Sequence, residues 1–197
     1  MDKNHSWAMN QGGLFLDGRG LVWETFRKIT RKLKELEIDF AVYDGMALYR
    51  YGLHRYIEDI VFCITAQSLE SIDCCLTEHG YLPFEAGSRK YRDIETGVKF
   101  EFVIAGEFPG DGKPKPVAFP NPKEDREFDG DGIAYLKLKT WIELKLASGM
   151  IVRGRLKDLA DVQEIIKIHE LNGIYAARLN EFVRAKFIEL WRGTLPQ

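Results

Sequence analysis

The sequence has few cysteines, no long apolar run and no marked excess of one charge. Its three cysteines are an odd number without C-x-x-C spacing, so we expect neither a disulfide framework nor a zinc site. No stretch approaches the ~18 consecutive apolar residues of a membrane-spanning helix, and the first residues lack the basic-then-apolar pattern of a signal peptide. We therefore expect a cytoplasmic chain without a membrane segment.

The balance of charge limits the partners that the whole surface could attract. The chain has 28 Lys and Arg against 30 Asp and Glu, a net charge of -2, so it offers no global attraction to nucleic acid. Any basic surface must be local. At 197 residues, 45% of them hydrophobic, the chain is long enough for one compact core and a smaller appended lobe.

Hydrophobic periodicity divides the chain into three segments. Residues 1–20 show no sustained period and are predicted to form a flexible N-terminal arm. Residues 21–120 begin with an amphipathic helix and continue with strands at Phe40–Tyr43 and Asp59–Ile64, so they predict an α/β core. Residues 121–197 predict a hairpin followed by a helical C-terminal lobe. The fold class expected is α+β.

The remaining elements determine the kind of sheet. Segments 81–85, 90–94 and 98–104 are typical of an antiparallel meander beside a buried strand, which makes the sheet mixed. Asp129-Gly130-Asp131-Gly132 predicts the hairpin turn. Thr140 and Glu143 form a capping-box pattern, so a helix is expected from Thr140 to Gly149, followed by helices from Leu156 and over 175–191.

The most informative stretch is FAVYDGMALYRYGLHRYIEDIVFCI, residues 40–64. It has the form strand, glycine turn, short helix, Gly, Arg, and then a strand that begins with an acidic residue. This pattern resembles the nucleotidyltransferase superfamily related to DNA polymerase beta, and in particular the bacterial branch of AbiEii-type toxins and other small nucleotidyltransferases. The resemblance covers roughly residues 25–190 and implies a nucleotidyltransferase-type mixed sheet with flanking helices and a helical C-terminal lobe.

The superfamily pattern implies a role for four positions. Gly45 corresponds to a turn glycine and Arg55 to the motif arginine, both expected to contact nucleotide phosphates. Asp59 corresponds to the first carboxylate of the metal site, and Glu101, in a neighbouring strand, to the third. In the family such carboxylates hold two Mg²⁺ ions, which stabilise the oxygens of an in-line displacement at phosphorus.

Three positions depart from the pattern. Asp44 stands where the first turn glycine belongs and places a negative charge near the expected triphosphate. Ile57 stands where a threonine belongs, and Val61 stands where the second carboxylate belongs. Val61 should share a strand face with Asp59, and its isopropyl group cannot coordinate a cation. We therefore expect Mg²⁺ to bind weakly or at a single site. Taken alone, Asp59 is equally consistent with a strand-end carboxylate satisfied by local amides.

The C-terminal segment carries a further basic pattern. Residues 137–157 hold six Lys and Arg against one acid, Glu143, and such a patch facing an acidic cleft would hold triphosphate. Lys145 resembles the family lysine that contacts phosphate. We expect it on a helix surface facing the cleft, where its replacement by alanine should weaken triphosphate binding and leave the fold intact. Asp158 resembles an active-site aspartate, and Arg155 is expected to bind nucleotide. Taken singly, Lys157 and Asp161 could instead form a surface pair, and Asp158 could only complement a helix N-terminus.

Two hypotheses of function follow. In the first, the chain transfers a nucleoside monophosphate from an NTP to an acceptor such as tRNA, a protein or a small molecule. The catalytic residues would be Asp59, Glu101, Lys145 and Asp158. The resemblance also implies a toxin-like role. In the second, it is a catalytically degraded relative that binds a nucleotide or a protein. Val61 favours the second hypothesis, and the family background favours the first.

Overall fold

The computed structural model describes residues 3–196, with side chains for residues 10–72 and 75–196. Cys74, one of the three cysteines considered above, therefore lies outside the described side chains, and Cys63 and Cys75 are free thiols. The helices are α1 Lys3–Leu16, α2 Leu21–Glu35, α3 Asp44–Arg50, α4 Ala66–Glu78, α5 Leu138–Ile151, α6 Leu156–Ile168 and α7 Glu181–Arg192. The strands are β1 Ala41–Tyr43, β2 Asp59–Ile64, β3 Tyr81–Pro83, β4 Lys90–Asp93, β5 Lys99–Ile104, β6 Arg126–Phe128 and β7 Ala134–Leu136.

A seven-stranded mixed sheet with the order β3-β4-β5-β2-β1-β7-β6 forms the centre of the fold. The β2–β5 and β1–β7 pairs are parallel, and the other four pairs are antiparallel. This arrangement confirms the α+β class, the meander of β3, β4 and β5, and the hairpin of β6 and β7. No helix in the described part of the chain is both long and apolar enough to cross a membrane.

Alternation along β2 separates the two faces of the sheet. Phe62 is fully buried and stacks on Phe26 of α2 at 6.2 Å between ring centroids, so α2 covers one face. On the other face, the Sγ of Cys63 lies 3.4 Å from the carbonyl oxygen of Pro120, which belongs to the long loop between β5 and β6. The part of this face nearer the start of β2 stays open towards α5 and α6, and the site lies there.

The N-terminal segment differs from its prediction. Where the sequence predicted a flexible arm without a regular element, residues 3–16 form α1. Phe15, at its end, is 1% exposed and lies 5.7 Å from the Trp23 ring of α2. Gly12 and Gly13 conceal the helical period, so tertiary packing rather than local propensity accounts for the helix. The boundaries predicted near residues 20 and 120 remain a prediction.

Two helix boundaries also differ from their predictions. Helix α5 begins at Leu138 and ends at Ile151, and its N-cap, Lys137, makes no side-chain capping bond. Glu143 instead binds Lys139 and the backbone amide of Asn180, so the capping box is absent. The single final helix expected over 175–191 is a 3₁₀ helix, Gly173–Arg178, and then α7, because the Asn180 side chain caps a new helix by accepting from Phe182 N–H.

Candidate functional site

Two neighbouring parallel strands bring the predicted carboxylates to one cleft. Val61 of β2 is in register with Glu101 of β5, and Asp59 precedes Val61 by two residues on the same face. All three line a cleft of about 410 Å³ between the sheet and the C-terminal lobe. This arrangement confirms that Val61 faces the cleft together with Asp59 and Glu101. Val61 is thus the cross-strand neighbour of Glu101 and the next residue after Asp59 on this face.

The two carboxylates have different surroundings. Glu101 is one-third exposed and lies 3.3 Å from the Nζ of Lys90 on the adjacent strand β4. The pKa of Asp59 is raised above its ordinary value, first by burial and then by the negative charge of Asp44 across the cleft. Asp59 therefore takes up a proton more readily than an isolated aspartate.

The donor set does not fit the two-ion centre that the resemblance implies. Within the described side chains, no group of three His, Cys, Asp or Glu residues converges on a position that could hold a metal ion. At the position of the missing ligand, Val61 presents only carbon atoms, and Mg²⁺ requires oxygen ligands in a near-octahedral arrangement. Any ion in this cleft would depend on Asp59, Glu101 and water.

Lys145 is placed differently from its prediction. The sequence suggested a lysine on a helix surface that faces the cleft, but Lys145 is 3% exposed and surrounded by three carboxylates. Its Nζ donates to Asp44, lies 2.8 Å from Asp158 and lies 3.5 Å from Asp161. Burial alone would lower the pKa of Lys145, but Asp44 and Asp158 outweigh burial and the pKa is raised. The ammonium charge is already neutralised within the protein.

The first residue of α3, Asp44, supplies one of those carboxylates. Asp44 has a φ of 55°, in the left-handed region that favours glycine, at the position where the family pattern has glycine. Its carbonyl accepts from the indole N–H of Trp141 at 3.3 Å, and its carboxylate pairs with Lys145. The charge that the sequence placed against a triphosphate is thus compensated by a buried lysine from α5.

Gly45 is required here by packing. A Cβ atom at this position would lie 2.8 Å from both Cδ1 and Cγ2 of Ile57, which no real Cβ tolerates. Ile57, the residue that replaces the expected threonine, is 5% exposed and covers the glycine. The absence of a side chain at Gly45 therefore makes room for Ile57. The contact of Gly45 with phosphate remains a prediction.

Arg55 forms a bidentate ion pair with Asp161 of α6. Its two terminal nitrogens lie 2.7 and 2.9 Å from the two carboxylate oxygens, and Asp161 is 2% exposed. Paired guanidinium–carboxylate bonds of this kind are among the strongest polar contacts. The predicted phosphate-positioning arginine is thus already engaged.

Asp158 and Asp161 show which features the sequence alone did not resolve. The surface pair considered for Lys157 and Asp161 is wrong, because Asp161 is buried and binds Arg55 and Lys145. Asp158 accepts from Ser148 Oγ at 2.7 Å and pairs with Lys145, and its pKa is lowered because these partners outweigh burial. The K-D-x-x-D spacing, which places both aspartates on one face of α6, was the available signal.

Two cations of the basic segment remain at the mouth of the cleft. Arg155 is half exposed, lies 3.6 Å from Asp158 and lines the cleft. Lys157 lines an adjoining cavity of about 270 Å³ together with Asp59. Lys137 and Lys139 pair with Asp125 and Glu143. The broad patch that the sequence predicted around the cleft is therefore reduced to Arg155 and Lys157, with Lys90 on the opposite wall.

Comparison with known proteins gives a distant similarity. No protein-family model and no curated protein sequence matches the chain. It is similar to a "putative nucleotidyltransferase" from Thermotoga maritima, with 16% identity, 73% of this chain and 91% of that chain covered, and a TM-score of 0.44. It is also similar to a "putative nucleotidyltransferase" from H. pylori, with 19% identity, 88% and 85% covered, and a TM-score of 0.47. At these scores neither similarity bears on the chemistry of the cleft.

Proposed function

We propose that this chain is a nucleotidyltransferase-like protein that binds a nucleotide at the mouth of its cleft and does not transfer it efficiently. One observation supports this proposal above the others: Lys145, the buried cation of the cleft, is neutralised by Asp44, Asp158 and Asp161. A lysine whose charge is neutralised by three carboxylates contributes little electrostatic attraction for a triphosphate.

The cations at the cleft mouth are better suited to phosphate. Arg155 and Lys90 are more than half exposed, and they approach the cleft from opposite walls. Arginine can bind two phosphate oxygens at once, and lysine provides a mobile point charge. We infer that the phosphates lie between them, with at most one weakly held Mg²⁺ supported by Asp59 and Glu101.

Transfer of a nucleoside monophosphate to a tRNA, protein or small-molecule acceptor is the second candidate function. It is favoured by Asp59 and Glu101, which face one cleft from neighbouring parallel strands. The raised pKa of Asp59 would let this residue accept a proton from an attacking hydroxyl closer to neutrality than an ordinary aspartate. A toxin-like role belongs to this candidate.

Binding and transfer can be measured on the same protein. ATP is titrated calorimetrically in the presence and absence of Mn²⁺, and each α-labelled NTP is incubated with Mn²⁺ and bulk tRNA, after which label on RNA and on the chain is counted. Arg155→Ala is compared with Arg153→Ala, an exposed arginine two residues away that does not line the cleft.

The first candidate predicts ATP binding that weakens in Arg155→Ala, is retained in Arg153→Ala, and is not accompanied by label transfer. Label transferred to RNA or to the chain would select the second candidate instead. Absence of heat with ATP, together with absence of label transfer from every NTP, would contradict both candidates and would leave a protein-binding role for the cleft.

A further inference from the structure

A second cleft lies on the opposite face of the sheet, between α2, α3 and the β6–β7 hairpin. Its volume is about 650 Å³, which is within the range of pockets that hold small ligands. Its floor is apolar and aromatic, with Trp23, Phe26, Met46, Tyr49, Ile133 and Tyr135. None of the cleft residues discussed above lines it, so it is a separate site.

Four cations line this pocket. Arg27, Arg31 and Lys34 follow one another at spacings of four and three along α2, so they form one row about 10 Å long. Arg50, the last residue of α3, is the fourth. Like charges at these spacings weaken a helix. The row therefore carries an energetic cost that an anionic ligand would remove.

Two of the four cations are free to bind a ligand. Arg27 donates to the carbonyl of Gly18 at 2.7 Å, and Lys34 to the carbonyl of Asp131 at 3.4 Å. Arg31 and Arg50 are exposed, and neither makes a hydrogen bond or ion pair with any residue that the structure describes. Glu35, four residues after Arg31, is already paired with Lys32 at 2.8 Å.

The far end of the pocket limits the size of the ligand. Asp129 and Asp131 of the hairpin turn line the pocket, and the Nζ of Lys34, the last cation of the row, lies 3.4 Å from the carbonyl oxygen of Asp131. Asp129 accepts the backbone amides of Asp131 and Ile133, so its carboxylate is held in place by the turn. These carboxylates would repel a polyanion that continued past the cationic row. The lining therefore suits a compact molecule with its negative charge at one end.

We propose that this pocket binds a phosphorylated ring compound of about nucleotide size, with its ring on the apolar floor and its phosphate between Arg31 and Arg50. Polar groups of the ligand that can donate hydrogen bonds would face Asp131. The ligand class follows from the combination of an apolar floor, two unpaired guanidinium groups and an acidic far end. It does not depend on the nucleotide proposed for the other cleft.

The test uses 1-anilinonaphthalene-8-sulfonate, a fluorescent ring compound with one anionic group, and its displacement by ADP in EDTA. We expect ADP to displace the dye, and both affinities to fall about tenfold in the double variant Arg31→Ala/Arg50→Ala. Both arginines are exposed and unpaired, and Arg31 repels its neighbours in the row, so the melting temperature of the variant should not fall. Arg192→Ala, at the exposed end of α7, should bind both compounds like the natural chain.

Several results would overturn the proposal. ADP that leaves the dye bound, or a double variant that binds both compounds normally, would remove the pocket as a site for such a ligand. A loss of ADP affinity in Arg155→Ala alone would place the nucleotide in the other cleft. A short single-stranded DNA could also displace the dye at a lower concentration than ADP, and only when both arginines are present. That result would assign the row to a nucleic-acid strand.

Discussion

Replacing Lys145 by methionine should destabilise the protein strongly and in a pH-dependent way. Methionine retains most of the side-chain length and removes the charge. It leaves the carboxylates of Asp44, Asp158 and Asp161 together without their shared cation. This differs from the sequence-based expectation that a change at Lys145 would lower nucleotide affinity and leave the fold intact, because that expectation placed Lys145 on the surface.

The size of the effect follows from burial. Removing one partner of a buried ion pair costs about 3–5 kcal/mol, because the other charge stays buried and unpaired. Lys145 and Asp161 are 3% and 2% exposed, but the Asp44 side chain is 37% exposed and can regain water. We therefore expect a loss near the lower limit, about 3 kcal/mol, which corresponds to roughly 6–12 °C in melting temperature for a chain of this length.

The pH dependence of the loss of stability distinguishes an effect of charge from an effect of packing. In the natural chain the pKa of Asp158 is lowered, so its stabilising contribution is present above the ordinary carboxyl pKa and is lost as the pH falls below it. Without Lys145, burial and mutual repulsion should raise the folded-state pKa values of these carboxylates. The variant should then gain free energy of unfolding as the pH falls from about 7 to about 5, and the difference from the natural chain should narrow.

Urea denaturation at several pH values measures this difference. Lys139→Met is the matched control, because Lys139 lies on the same helix and pairs with one carboxylate but is 47% exposed. Lys139→Met should lower the free energy of unfolding by less than about 1 kcal/mol. Adding Asp158→Asn to Lys145→Met should recover part of the stability. A Lys145→Met loss equal to that of Lys139→Met, or one that does not change with pH, would refute the buried-network reasoning.

Three further predictions concern the turn and the cleft. Gly45→Ala should lower the free energy of unfolding by about 1–3 kcal/mol. In thermal melts, the double variant Gly45→Ala/Ile57→Ala should lose less stability than the two single variants together. Additive losses of stability would contradict the packing role. Val61→Asp with Asp44→Gly should melt at a higher temperature when Mg²⁺ is added; a melting temperature independent of Mg²⁺ would show that the cleft cannot regain a metal site. Calorimetry of the natural chain with Mn²⁺ should give at most one weak site, and two tight sites would contradict the incomplete ligand set.

Local patterns predicted the sheet well and the charge network poorly. Alternation and apolar runs located β2 and β5, and the two-residue period then placed Asp59 and Val61 on one face, as the strand register confirms. Such patterns depend on residues close in the chain. The register between β2 and β5, separated by about 40 residues, could be reached only through the family resemblance.

The position of the Lys145 side chain depends on residues that are distant in the sequence. Its three partners come from the first residue of α3 and from α6, and no spacing along α5 indicates that they meet. For the same reason the helix α1 was missed, since its order depends on Phe15 packing beside Trp23 rather than on a periodic sequence. Long-range contacts of this kind override local propensity.

The three departures from the family pattern are coherent when they are considered together. Asp44 supplies an anion to Lys145, Ile57 fills the space above Gly45, and Val61 places an isopropyl group beside Asp59 and Glu101. In each case the residue makes its contacts within the protein, at a position where the resemblance implies a glycine, a threonine or a metal-binding carboxylate.

A single reversion would therefore leave the other two substitutions in place, which is why the restoring variant changes Val61 and Asp44 together. With Arg55 and Lys145 held by Asp161, Asp158 and Asp44, the nucleotide that we propose would depend on the exposed cations at the cleft mouth. Attraction between exposed charges is screened by salt. Nucleotide affinity should consequently fall steeply with ionic strength, whereas affinity supported by a buried lysine would fall little.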